Sequence, residues 1–175
     1  SGHQQLAFGG TVDLRAPGGQ PGTLLLDPEN VTIAATGDTP TLPVSGDTVL
    51  NATADNSVLA VSTLENALTL GNVTVQTGTT GTQTGDIEVA TNIAWSTANS
   101  LTLSAYRNIT VDDGVTISNT SSGNLSLRAD NTGTGTGTVV FNGSGKIDFS
   151  QSTGTVSIYY NPADNPAGSL VNATS

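Results

Sequence analysis

The chain of 175 residues has no cysteine, no methionine and one histidine, His3. Those absences exclude a disulfide frame, a thiol nucleophile, an iron–sulfur site and a zinc site of the usual His/Cys kind. Cations are nearly as scarce. Arg15, Arg107, Arg128 and Lys146 stand against 14 acidic residues, for a net charge of −10, so the sequence offers no basic surface to nucleic acid or anionic lipid. The longest apolar runs, such as Leu24-Leu25-Leu26 and Val139-Val140-Phe141, fall far short of the ~20 residues needed to cross a bilayer. Aromatics are limited to one Trp, three Tyr and three Phe although 35% of residues are hydrophobic. The core must therefore be assembled from Val, Ile, Leu and Ala. The chain opens on Ser1-Gly2, with neither a methionine nor an apolar leader, and reads as a piece of a longer protein.

What is present is small and hydroxylated: 46 Ser plus Thr and 21 Gly, the composition of short strands and turns. The organising signal is an apolar-x-apolar triplet, the period-2 pattern of a strand with one buried face. From residue 73 it recurs ten times, at 73–75, 87–89, 93–95, 101–103, 109–111, 115–117, 125–127, 139–141, 147–149 and 156–158. Every third triplet starts at 73, 101, 125 and 156, so the steps are 28, 24 and 31, in the range of solenoid periods. The reading is a β-solenoid with three short strands per coil, favoured over a sandwich by the brevity of the strands and the near absence of two-residue Asn-Gly or Gly-Gly hairpin turns between triplets. Over 1–162 it makes one segment of about five to six coils, with 163–175 as an extension or partial coil.

A second repeat, Asn-apolar-Thr-apolar, occurs at Asn30-Val31-Thr32-Ile33, Asn72-Val73-Thr74-Val75 and Asn108-Ile109-Thr110-Val111. Asn tolerates left-handed backbone, so it is expected at the corner entering a strand, with stacked copies pairing their amides. Further triplets stand at 6–8, 12–14, 24–26 and 31–33. Residues 34–57, with Pro40 and Pro43, break the pattern and read as an insertion or long loop. Ser62-Thr63-Leu64-Glu65 forms a capping box, with Leu64 and Leu68 four apart and Gly71 as a stop. It predicts a short helix near 62–70, with a further strand through Leu68-Thr69-Leu70 as the alternative. The Thr/Gly stretches 77–85 and 132–138 read as exposed, mobile turns.

Candidate sites are few. Asp27 with Glu29, Asp86 with Glu88, and Asp112-Asp113 offer oxygens, but none fits a calcium loop, and no metal or cofactor site is read. Lys146 and Asp148 flank Ile147 and both should face solvent. Gly143-Ser144-Gly145-Lys146 lacks phosphate-loop spacing, and His3 sits beside the terminus. Trp95, Tyr106 and Tyr159 are the stacking groups available to a glycan, with core packing as the competing role. Eight Asn-x-Ser/Thr sequons occur, at Asn30, Asn51, Asn72, Asn108, Asn119, Asn124, Asn142 and Asn172. Composition alone gives about four, and the Asn-x-Thr corner motif accounts for part of the excess.

Several longer stretches carry a resemblance. Thr23-Leu24-Leu25-Leu26-Asp27-Pro28-Glu29-Asn30-Val31-Thr32-Ile33, Gly71-Asn72-Val73-Thr74-Val75-Gln76-Thr77 and Ser100-Leu101-Thr102-Leu103-Ser104-Ala105-Tyr106 are three of them. With Leu127-Arg128-Ala129-Asp130-Asn131 and Thr155-Val156-Ser157-Ile158-Tyr159-Tyr160-Asn161-Pro162, they resemble the repetitive passenger region of filamentous-haemagglutinin-like large exoproteins, the two-partner-secretion adhesins of Gram-negative bacteria. The resemblance runs from about residue 10 to residue 162. It implies a right-handed parallel β-helix, exported by an outer-membrane transporter and secreted or held at the cell surface. It further implies attachment to host-cell or matrix glycans and proteins or to neighbouring bacteria, and no catalytic residues. The amino-terminal secretion domain of that family is not evident in the chain. Two other readings stay open: a self-associating module of an extracellular fibre, and a carbohydrate-active β-helix enzyme whose carboxylates converge beside Lys146 or Arg128.

Overall fold

The computed structural model describes residues 30–37, 48–51, 56–78 and 83–159. Apart from Leu68-Thr69-Leu70, which is helical, each apolar-x-apolar triplet in that range falls on a strand, because one face of a three- or four-residue segment can be buried while its middle residue stays outside. The strands are β1 (Val31–Ala34), β2 (Thr48–Asn51), β3 (Ser57–Ala60), β4 (Val73–Gln76), β5 (Ile87–Val89), β6 (Ile93–Trp95), β7 (Leu101–Ser104), β8 (Ile109–Val111), β9 (Thr116–Asn119), β10 (Leu125–Arg128), β11 (Val139–Phe141), β12 (Lys146–Asp148) and β13 (Val156–Tyr159), with one helix, α1 (Val61–Leu70).

All strand pairs are parallel and fall into three sheets. The first sheet has the order β3-β1-β5-β8-β11, the second β2-β4-β7-β10-β13, and the third β6-β9-β12. The result is an all-β parallel solenoid of about four turns with one short helix. The expected steps of 28, 24 and 31 are those of the second sheet, where Val73, Leu101, Leu125 and Val156 stack in register.

Register converts the triplets into columns. Val31, Ile87, Ile109 and Val139 form one, Val75, Leu103, Leu127 and Ile158 another, and Ile93, Ile117 and Ile147 a third. The interior members are buried and make one aliphatic core. Outward positions stack equally well: Thr74, Thr102, Ser126 and Ser157 line the second sheet.

The corners hold the coils together. Before six of the strands, the preceding residue gives its backbone N–H to the side-chain oxygen of its counterpart in the neighbouring coil. Before the first sheet, Asp86 N–H donates to Asn30 Oδ1 (2.9 Å), Asn108 N–H to Asp86 Oδ1 (3.0 Å) and Thr138 N–H to Asn108 Oδ1 (3.1 Å). Before the second, Ser100 N–H donates to Asn72 Oδ1, Asn124 N–H to Ser100 Oγ and Thr155 N–H to Asn124 Oδ1. In the third, the first residue of β9, Thr116, donates its N–H to Asn92 Oδ1, whereas Lys146 N–H at the start of β12 goes to the Val115 carbonyl. The Asn repeat is thus a corner motif as expected, but by another mechanism. Its oxygen accepts from backbone rather than from a stacked amide, and left-handed backbone belongs, among described non-glycine residues, to Asn56 and Asp130.

Three further expectations are corrected. Part of 34–57, read as an insertion or loop, is strand β2, which pairs with β4. Helix α1 begins after Ala60, which has no side-chain cap, so Ser62 lies inside the helix and the capping box does not form. Glu65 Oε1 instead accepts the N–H of Ala94 (2.8 Å), on the side of β6 that faces the helix and, among the described residues, pairs with no strand. Leu64, Ala67 and Leu68 are buried as the spacing requires, and Gly71 N–H closes the helix on Ala67 O with extended rather than left-handed backbone. Finally, residues 132–138 are mostly exposed but tied down: Asp130 accepts from Thr134 N–H and Oγ1 through one oxygen and from Gly135 N–H through the other. The triplets at 6–8, 12–14 and 24–26 lie outside the described residues, as does 163–175.

The α-helix also explains the strand count. A helix is about 10 Å across, and parallel strands lie about 4.8 Å apart, so one helix fills the height of two strands. Beside α1 the first sheet supplies β3 and β1, and the second β2 and β4. Thr97 Oγ1 and Asn99 Nδ2 both donate to Leu68 O, fastening the helix end to the coil that follows.

Close stacking leaves no room for side chains at some corners. A Cβ on Gly123 would fall on the Asn99 carbonyl oxygen and within 2.7 Å of Trp95 Nε1. Gly123→Ala is expected to cost about 1–3 kcal/mol by overpacking, while the adjacent exposed Ser122→Ala stays within about 0.5 kcal/mol. Urea midpoints of the two variants check this.

Candidate functional site

The outer face of the first sheet carries a groove of ≈ 320 Å³. Its floor is the outward column Thr32, Glu88 and Thr110, set side by side by the register of β1, β5 and β8. Asp86 stands at the corner where these strands begin and Asp112 where they end. Carboxylates of neighbouring coils therefore do line one groove, as an enzyme would require, but beside Arg107. Lys146 is on β12 of the third sheet, and Arg128 is on β10 of the second.

Hydrogen bonding decides what these carboxylates can do. Glu88 Oε2 accepts the Thr32 hydroxyl (3.1 Å). Asp86 is bound by both Nε (2.9 Å) and Nη2 (2.6 Å) of Arg107, by the Thr84 hydroxyl (2.6 Å) and by the Asn108 amide (3.0 Å). Burial works to raise the Asp86 carboxyl, but the hydrogen bonds from Arg107, Thr84 and Asn108 outweigh it and hold it below its ordinary value. A carboxylate so engaged is an anchor for a corner rather than a proton donor. Asp113 is similar on a smaller scale: the amide and hydroxyl of Ser144 in the next coil both bind Oδ1 (2.8 Å each) and lower its pKa. Among the described residues, no group of three or more His, Asp or Glu is placed to hold a metal ion.

The remaining candidates disperse. Trp95 is 6% exposed, donates Nε1–H to Asn99 O (2.8 Å) and packs edge-on against Phe149 at 5.7 Å, so it belongs to the core and offers no stacking face. Tyr106 follows β7, and its backbone N–H binds Thr77 Oγ1. Tyr159 ends β13 beneath the guanidinium of Arg128, 5.9 Å from the ring centroid. The third sheet holds Trp95, whereas both tyrosines lie at the exit corner of the second, so the three do not form one platform. Lys146 and Asp148 are both exposed around Ile147, as expected. The 143–146 segment is a turn stacked on 113–114, with Lys146 N–H bonded to Val115 O. His3, Asp27 and Glu29 lie outside the described residues.

The sequons divide by position. Asn72, Asn124 and Asn142 are exposed, and Asn30 and Asn108 are half-buried. Asn119 is 1% exposed, with Nδ2, the atom a glycan would occupy, bonded to Trp95 O (3.1 Å) and Thr97 O (3.2 Å). Asn172 and the side chain of Asn51 lie outside what is described. Sequence reasoning missed Asp86 and Asp130 as anchors of turns. Asp86 could have been found as the polar residue directly preceding an apolar triplet, the position Asn occupies in the neighbouring coils.

Compared with protein-family models, curated proteins and solved structures, the chain matches none.

The Asp86 corner gives a prediction with a definite sign. Its carboxyl lies lower in the folded chain than in the unfolded one, so its stabilisation is present above the ordinary carboxyl range and disappears as pH falls through the depressed folded value. Asp86→Asn keeps an oxygen for the Asn108 amide and should cost about 0.2–1 kcal/mol at neutral pH, the worth of an exposed ion pair. Asp86→Ala orphans that amide and should cost about 1–3 kcal/mol. Urea unfolding at neutral and at acid pH checks both: the Asn variant should converge on the parent in acid, and the Ala variant should not.

Proposed function

We propose that this chain is a non-catalytic segment of a secreted, surface-displayed bacterial adhesin, an elongated scaffold for attachment to cells, matrix or biofilm. The observation that carries the reading is the register of repeated coils, which gives a cross-section extendable by adding more of the same. Most of the stretches that resemble the large exoproteins fall on strands of this stack, around β4, β7, β10 and β13. Export by a partner transporter in the outer membrane suits a chain without cysteine, which cannot cross-link before it folds. Its outward columns of Thr and Ser give hydroxyl-lined faces suited to polar contact with glycans or matrix proteins.

The test is binding of the purified, immobilised chain to a panel of glycans and matrix proteins, with mass spectrometry of the recovered ligands. Saturable binding with intact ligand is expected, weakened by Tyr106→Ala. Ligand cleavage would overturn the non-catalytic reading, and absence of binding across the panel would reduce the segment to a spacer. Where native material carries glycans, glycopeptide mass spectrometry is expected to find them at Asn72, Asn124 or Asn142 and to find Asn119 bare.

A further inference from the structure

One strand of the first sheet is out of chain order. Elsewhere in the stack, paired strands are one coil apart in sequence, as Ile87 is from Ile109 and Leu125 from Val156. Strand β1 pairs on one edge with β3, Val31 against Ser57, and on the other with β5, Val31 against Ile87, two coils further along the chain. Its two neighbours, β3 at Ser57 and β5 at Ile87, are themselves an ordinary coil apart. With a strand in the place of α1 they would be direct partners. The helix, about two strands thick, holds open a gap one strand wide, and β1 fills it.

The gap reads four consecutive side chains. At its entrance Asn30 gives its N–H to Gln83 Oε1 (3.0 Å) and accepts the Asp86 amide and the Thr84 hydroxyl on Oδ1 (2.9 and 3.4 Å). Val31 and Ile33 enter the core at 3% and 0% exposure, and the Thr32 hydroxyl binds Glu88. Gln83 ties both walls together: its Oε1 also accepts the Asn56 N–H beside β3, and its Nε2 donates to Asn56 Oδ1 (2.9 and 2.7 Å). The slot therefore selects an extended, parallel segment of the form Asn, β-branched, hydroxyl, β-branched.

We propose that this slot is a strand-acceptor site and that its intermolecular occupant is β1 of a second copy of this chain, which links copies by parallel β-augmentation. The sequence it selects is the one the chain carries at 30–33. The same pattern at 72–75 and 108–111 is committed to mid-stack strands whose neighbours are successive coils. The elements level with β1, α1 and β4, come from a separate stretch of chain. Segment 35–47, which joins β1 to β2, can span up to about 45 Å when extended, enough to reach another molecule. This linkage is independent of the adhesin reading, since it needs only the slot and a second chain.

The absence of native cysteine makes the test clean. Thr32 and Glu88 are directly paired and point outward, and adjacent strands about 4.8 Å apart are within disulfide reach. Thr32→Cys and Glu88→Cys are made singly and together in the full chain, unfolded, refolded and oxidised. The double variant is expected to close within one chain. The two single variants refolded together are expected to yield a dimer whose digest shows the 32–88 disulfide and whose yield rises with protein concentration. The unsubstituted chain, refolded at the same high concentration, is expected to elute partly at twice the monomer mass. Closure within the double variant with no 32–88 link between chains would overturn exchange, as would an unsubstituted chain that stays wholly monomeric. Failure of the double variant to close would overturn the slot itself.

Discussion

Each coil must turn at three corners, and at each corner a backbone N–H leaves the reach of the strand ladder. That donor must be met, because an unpaired amide in a close-packed stack costs about as much as a lost hydrogen bond. At seven corners it is met by a side-chain oxygen in the adjoining coil, from Asn30, Asn72, Asn92, Asp86, Ser100, Asn108 or Asn124. The remaining features follow from this contact. It fixes where each strand begins relative to the previous one, and so places Ile on Ile and Leu on Leu in the core. It also brings the corners close enough that glycine is required where carbonyls approach, as at Gly123.

The same contact explains which parts of the fold the sequence revealed. Period-2 triplets need only local polarity, so every strand from residue 73 onward was legible, and so was the three-strand coil. The corner role was legible at Asn30, Asn72 and Asn108 because one residue type recurs there. It was hidden at Asp86 and Ser100, where different side chains serve the same geometry. Local patterns also mislead where a partner is distant in sequence. Ser62 and Glu65 have capping-box spacing, yet Glu65 is drawn off by the Ala94 amide, about one coil further along the chain. Strand β2 was obscured by the prolines before it, and the place of β1 depends on the thickness of a helix that comes only after two further strands. Trp95 was weighed as both a ligand platform and a core residue, and its partner Phe149, well over a coil later, decides for the core.

These dependencies bear on how the stack forms. A solenoid whose strands pair only with successive coils can grow from one end, since each addition closes a short loop. That description holds from β4 onward. It does not hold for β1, whose second edge waits for β5, so the chain between them must be made before this part of the first sheet is complete. The regular coils and the end beside α1 are thus physically different: one propagates, and the other closes over a longer loop around a helix.

Part of the chain's acidity also belongs to its corners and turns. Asp86, Asp113, Asp130 and Asp148 each accept hydrogen bonds from backbone amides and hydroxyls at turns, and each is held below the ordinary carboxyl value. For Asp86 and Asp130, burial opposes this, and the donated hydrogen bonds prevail; for Asp113 and Asp148, the bonds from Ser144 and Ser150 dominate outright. At Asp86 and Asp130, where several donors converge, both carboxylate oxygens are used, which a single amide oxygen could not match. With only four cations in the chain, these carboxylates contribute to its net negative charge. Four of its acidic groups thus mark turns and the stacking of coils, and one of them, Asp86, stands at the corner of the groove on the first sheet.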